Sequence, residues 1–222
     1  MARKADDQLG AVLVIGLGRF GSAVAMSLAD ADREVLAVEK DPELANHWSH
    51  RFTVVEADAT SKEALEQLGA KDFRVAVVGV GSSLEASVLT TANLVEMGVP
   101  EIWAKATSRD HGRILEKIGA HRRVFPEHDA GRRVAHMVAG RMIDFIEMED
   151  NFTIVKMRPP LELRGFTIGE SKIRERYGVN ILGVKSPDEP FEYATSATRI
   201  SEDDIIIVSG NAELLDAFAA RN

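Results

Sequence analysis

The chain has 222 residues, 45% of them hydrophobic, a formal net charge of -8 and no cysteine. That length allows one large domain or a medium and a small one, with enough apolar residues to bury a real core. The acidic balance excludes nucleic acid as the expected partner, because phosphate binding needs clustered Lys and Arg, and the lack of cysteine excludes a disulfide framework, a thiolate nucleophile and a cysteine-ligated metal.

The opening "MARKADDQLG" is short, mixed in charge and without the apolar core of a signal peptide, so it is expected to be a frayed N-terminus. No apolar run approaches the ~20 residues of a membrane span, and the expectation is a soluble cytoplasmic protein. Six β-branched runs then follow at regular spacing: Ala11–Gly16, Glu34–Lys40, Phe52–Asp58, Arg74–Val80, Glu101–Ala106 and Arg122–Pro126. Several are apolar at consecutive positions, the pattern of a parallel strand buried on both faces. Helical patterns lie between them, such as Ser61–Leu68 with Ser61 as N-cap, and Ser83–Met97. Strand–helix alternation of this kind predicts an α/β fold, a Rossmann-like doubly wound parallel sheet.

After Pro126 the pattern changes. Val134, Met137, Val138, Met142, Phe145 and Ile146 recur at helical spacing, so Glu127–Glu147 reads as one long helix or two short ones. It serves either as a connector packing its apolar stripe on another surface or as a last helix covering the sheet. A second, small α+β unit is expected from about Asn151. It has strands at Phe152–Met157, Val179–Lys185 and Asp204–Ser209, a short helix Ile168–Tyr177 ended by Gly178, and a closing helix Ala212–Ala219. The expected division is 1–126, 127–148 and 149–222. A unit of that size with three or four strands needs a partner surface for stability.

The first strand runs into Gly16-Leu17-Gly18-Arg19-Phe20-Gly21, a G-x-G-x-x-G turn between strand and helix. Gly16 permits the tight turn, Gly18 lets phosphate oxygens approach the backbone, and Gly21 lets helix and strand pack closely. The helix N-terminus then offers free N–H groups to an anion. Glu39, about twenty residues on, is placed to accept hydrogen bonds from ribose hydroxyls; it disfavours a 2′-phosphate, which adjacent Lys40 offsets only in part. Arg19 within the loop can hold a terminal phosphate in bidentate fashion, which suits ATP or ADP at least as well as a dinucleotide. The alternative for Arg19 is a solvated loop charge.

The chemistry of an enzyme is not evident. None of His47, His50, His111, His121, His128 and His136 falls in a catalytic or metal motif, and there is no G-x-S-x-G elbow, H-E-x-x-H or Walker A lysine. A nucleotide site without catalytic residues points to a non-enzymatic sensor. The rival readings are an NAD(H)-dependent oxidoreductase and a stand-alone nucleotide-binding scaffold.

"VIGLGRFG", "LAVEKD", "EADAT", "ASVLTTANL", "IWAKA", "ILEKIGA" and "FPEHDAGRRVA", in this order, closely resemble the KTN/RCK regulators of potassium transport, KtrA/TrkA type. The resemblance covers nearly the whole chain. It implies a cytosolic gating subunit whose dimers form an octameric ring on the inner face of the membrane. There the ring docks on a membrane potassium-translocating subunit of Ktr/Trk type, and ATP or ADP alters its shape. It implies that Gly16, Gly18, Arg19 and Gly21 hold phosphates and Glu39 the ribose, with Phe20 and Lys40 also at the cofactor and Asp58 and Ala59 on the adenine side. Gly79 and Gly81 then lie beside the phosphates, and Lys105 ends the fifth strand. Glu127 matches an acid that faces the neighbouring subunit's nucleotide and helps hold a cation, Mg²⁺, Ca²⁺ or monovalent; a helix-start glutamate complementing the dipole is the alternative. "GVGSS" at Gly79–Ser83 departs from the commoner Gly-Ala-Asn or Gly-Ala-Asp, and the ribose acid is Glu where many relatives have Asp. Some relatives bind cyclic di-AMP in the C-terminal domain, and Ile173, Arg174, Asn180 and Ile181 stand at the spacing of that site. An ordinary helix–strand corner is the alternative there.

Overall fold

The computed structural model describes residues 10–138 and 142–221, the side chain of residue 136 apart. The segment expected to fray and residues 139–141 of the expected connector lie outside the described residues. The chain divides into two compact units after Glu127.

The first unit is a six-stranded sheet in the order β3-β2-β1-β4-β5-β6. Its strands are β1 (Val12–Ile15), β2 (Val35–Glu39), β3 (Thr53–Glu56), β4 (Val75–Val78), β5 (Glu101–Lys105) and β6 (Arg122–Val124), and every pairing is parallel. The helices between them are α1 (Arg19–Asp30), α2 (Pro42–Trp48), α3 (Lys62–Gln67), α4 (Leu84–Glu96) and α5 (Arg109–Lys117). The consecutive apolar residues of β1 have a simple cause. Leu13 and Ile15 join the core on one face of the sheet, while Val12 and Val14 join the core on the other. Four helices begin on a side chain that accepts from the first-turn backbone: Asp41 ahead of Pro42, Ser61, Ser83 and Ser108. The strand order reverses at β1, between β2 and β4. In an open parallel sheet that reversal opens a crevice at the carboxyl ends of the strands.

The next helix, α6 (Pro126–Val138), starts with Pro126 as its first residue, so Pro126 opens a helix and does not close a strand. The connector reading is corrected beyond it. Asp144–Glu147, expected as helix, is strand β7 and pairs antiparallel with β8 (Phe152–Met157). The apolar positions that suggested a single stripe are divided between two environments. Met142 and Phe145 belong to the second unit's core, whereas Val134 and Val138 on α6 are exposed.

The second unit is an antiparallel sheet of five strands, not three or four, in the order β10-β9-β11-β8-β7. The remaining strands are β9 (Asn180–Lys185), β10 (Glu192–Tyr193) and β11 (Ile205–Asn211). The single helix expected over Ile168–Tyr177 is two short ones, α7 (Ile168–Ser171) and α8 (Ile173–Tyr177). Lys172 between them adopts φ 48°, and the turn delivers Ile173 to the core. Gly178, at φ 68°, stops α8 as anticipated. Helix α9 (Ala212–Ala219) covers this sheet through Leu215 and Phe218, the latter 1% exposed. Truncating Phe218 to Ala leaves a cavity in the core of this unit. Phe218→Ala is expected to cost about 3–5 kcal/mol of the stability of this unit in chemical denaturation.

Candidate functional site

A cleft of about 530 Å³ lies at the carboxyl edge of the first sheet, lined from the end of β3 to Lys105 at the end of β5 and Glu127 in the first turn of α6. Its floor is set by three glycines. Gly16 leaves β1 at φ +85°; a Cβ on Gly21 would lie 1.8 Å from the Gly16 carbonyl oxygen, and one on Gly79 would lie 2.9 Å from the same atom. The Gly79 N–H donates to the Ile15 carbonyl at 2.7 Å, which ties β4 to the start of the turn. Gly18 differs from these, because a Cβ there would meet nothing within 4 Å. Its bareness leaves the backbone open toward the cleft. Gly18 caps α1 without a side chain, and the first turn of α1 holds no acidic residue, so the N–H groups and the dipole are not offset from within the helix. Arg19, the first residue of α1, is exposed and lines the cleft.

Glu39 anchors the turn in a way that the sequence did not disclose. The residue is 8% exposed, and its carboxylate accepts three backbone N–H groups: Leu17 at 2.6 Å, Lys40 at 2.8 Å and Asp41 at 3.0 Å. A carboxylate offers about four lone-pair sites, so about one is left for a ligand hydroxyl. Asp58, past the end of β3, accepts from the backbone N–H of Thr60 at 2.9 Å and from its hydroxyl at 2.8 Å. These two bonds, the backbone one first, hold the Asp58 carboxyl below its ordinary range.

On the other side of β1, the Lys105 ammonium donates to Glu127 Oε1 at 2.7 Å. The hydrogen bond from Lys105 comes first in holding the Glu127 carboxyl low, followed by Glu127's own backbone N–H, with the charge of Arg19 a minor contributor. Asp58 and Glu127 are therefore ionised at neutral pH. Because both folded-state values are depressed, their contribution to stability is complete above the ordinary carboxyl range and is lost as pH falls through the lowered values. The departure at Gly81 also acquires a reason. A Cβ there would lie 3.2 Å from both Cε and Nζ of Lys105, so the glycine leaves room for the lysine stem.

Gly16, Gly18, Arg19, Phe20, Glu39, Lys40, Asp58, Ala59, Gly79, Gly81, Lys105 and Glu127 all line this cleft. Gly21, from the same expected set, acts beneath it through packing. Asp41, Ser83, Thr90 and Thr107 line it too and were not anticipated. The Asp-Pro step at Asp41 and the serine ahead of α4 carry the signals of helix starts; Thr90, a buried hydroxyl without a hydrogen-bond partner among the described residues, left no trace in the sequence. His111 lies outside the lining. Its Nδ1 sits 3.3 Å from the Thr107 N–H, and burial lowers its pKa, which keeps the ring neutral. Among the described residues no three His, Asp or Glu gather as a metal would require. Of the expected second site, Ile173 and Ile181 are 3% and 6% exposed and belong to the core of the second unit, and Arg174 and Asn180 are on the surface.

The TrkA-N domain model matches residues 12–126 and the TrkA-C domain model residues 152–221. The Ktr system potassium uptake protein C of Bacillus subtilis is 34% identical over 210 residues, 94% of this chain and 95% of that protein. The chain belongs to the TrkA-N/TrkA-C family of the Ktr potassium uptake proteins. Protein A of the same system in that organism is 33% identical over 207 residues, 92% of this chain and 93% of that protein. A solved structure of the GsuK channel bound to NAD shares the fold, with TM-score 0.65 and 20% identity, over 97% of this chain and 40% of that one. All the cleft's lining residues but Glu127 thus fall in the TrkA-N region, and strands β8 to β11 of the second sheet fall in the TrkA-C region. No helix among the described residues is long and apolar enough to cross a membrane.

Glu39 allows a direct test of loop anchoring. Glu39→Gln replaces one acceptor oxygen by an NH₂ and leaves at least one of the three backbone donors without its partner. The expected result is a loss of about 1–3 kcal/mol in thermal or chemical unfolding of the TrkA-N unit. An unchanged stability would show that these bonds do not anchor the loop.

Proposed function

We propose that the protein is the regulatory, nucleotide-sensing subunit of a potassium uptake system. In this reading ATP or ADP binds the TrkA-N cleft. The bound nucleotide favours one shape of an assembly of copies, dimers joined in an octameric ring, and that shape gates a membrane potassium-conducting partner on the inner face of the membrane. The potassium uptake role of the similar Bacillus proteins supports the system. The observation that carries the nucleotide reading is the pairing of an uncompensated helix N-terminus with Arg19 at one edge of the cleft. Such an edge suits the outer phosphates of a nucleoside di- or triphosphate. Adenine and ribose would lie toward Asp58, Ala59 and Glu39, and phosphates over Gly16–Gly21, Gly79 and Gly81. The exposed Val134, Met137 and Val138 of α6 support self-association. A cation would bridge Glu127 of one copy and the phosphates of its neighbour, offsetting the repulsion between them.

NAD(H) is the second reading of the same cleft, favoured by the NAD of the GsuK structure. Steady turnover of NADH with small carbonyl compounds would favour an oxidoreductase. Stabilisation by ATP and ADP without turnover supports the sensor, and light scattering tests the assembly.

Arg19 separates the nucleotides, since only ATP presents a γ-phosphate. Losing a charge-assisted contact costs about tenfold or more in affinity. Arg19→Ala is expected to weaken ATP by about that factor in calorimetry, and ADP far less. Equal losses for both would remove Arg19 from the outermost phosphate.

A further inference from the structure

Lys105 stands out among the cations of the cleft. Its side chain is 12% exposed, against 62% for Glu127, its hydrogen-bond partner among the described residues. An ammonium has three donors, and Glu127 takes one of them. The stem lies against Gly81, at the edge of β4 beside the glycine floor, and the residue lines the cleft. A largely buried charge with spare donors on a ligand cleft favours an anion that can use them. Glu127 is a weak holder of that charge. Mostly exposed, it gains little from the pair over its own hydration. A terminal phosphate brings more negative charge and several acceptor oxygens to the same ammonium.

We propose that Lys105 exchanges partners when a nucleotide binds: its ammonium leaves the Glu127 carboxylate for the outermost phosphate, and Glu127 is released. This rests on the reading of the cleft as a nucleotide site and specifies how that site reports its occupancy. The released group belongs to the first turn of α6, the helix that leads the chain out of the first unit. The exchange also sets an order of events for a cation. While Lys105 holds Glu127, an ammonium occupies the place a metal would take. Once Lys105 has moved, the carboxylate faces phosphate without a counter-charge and becomes a ligand for a hard cation. Arg19 does not perform this exchange, because no carboxylate holds it in an ion pair among the described residues and its charge is only a minor influence on Glu127.

The test is a pair of crystal structures of the full chain, grown with ADP and with ATP, together with calorimetry of Lys105→Gln. The exchange predicts Lys105 Nζ within hydrogen-bond distance of the outermost phosphate oxygen and more than about 4 Å from Glu127. It also predicts an ATP affinity about tenfold weaker in Lys105→Gln. Should that variant fail to fold, Lys105→Met keeps the stem over Gly81 and carries the same expectation. A nucleotide seated in the cleft with the Lys105–Glu127 pair intact, or an unchanged ATP affinity in the variant, overturns the exchange and leaves the nucleotide reading standing. Absence of ATP and ADP from the cleft, with no heat of binding to the wild-type chain, overturns the nucleotide reading and the exchange with it.

Discussion

One contact governs the first unit: the backbone of Gly16, Gly21 and Gly79 meeting with no space for a single added methyl group. The Gly16 carbonyl oxygen is the shared point of that contact. Because it lies at the end of the central strand, it decides how close α1 comes to the sheet and where β4 ends. Both sides of the cleft are thereby fixed by backbone alone. Side chains then refine it. Glu39 reaches from β2 to hold the N–H of Leu17 within the turn, so the strand next to β1 takes part in shaping the loop. The result is a seat built on three neighbouring strands, lined by an exposed Arg19 and a largely buried Lys105.

The second unit works from a different constraint. Its sheet is antiparallel and packs its buried face against α9 and the short helices, while much of the other face remains partly exposed. Residues such as Ile154, Leu182, Ile205 and Ile207 lie half-buried or exposed along its strands. Its core is correspondingly small, and a few large side chains, Met157, Leu163, Ile206 and Phe218 among them, account for much of it.

What could be read from the amino-acid order follows from the range of the interactions involved. The parallel sheet was legible because burial on both faces forces consecutive apolar residues, as in Val12–Ile15. The glycine turn was legible because its spacing is local. The helix over 127–147 was misread because Met142, Phe145 and Ile146 satisfy a helical repeat and a strand equally well over so few residues. The spacing of Ile173 and Ile181 did not disclose that both side chains lie in the core of the second unit, since spacing reports neither face nor depth. The Lys105–Glu127 pair joins residues 22 positions apart on different elements. Nothing in either local motif announces the other.

The uncompensated first turn of α1 has a further consequence. Under the proposed function its amides would meet the phosphates that ADP and ATP have in common, so the two nucleotides would compete for one seat. A ligand at a hundred times its dissociation constant adds about 2.7 kcal/mol to the stability of the folded chain. Where both nucleotides stand well above their dissociation constants, the seat would stay filled. Under those conditions occupancy carries no information; what varies is which competitor is seated, and the proposed subunit acts as a gauge of the ratio between the two, insensitive to their total.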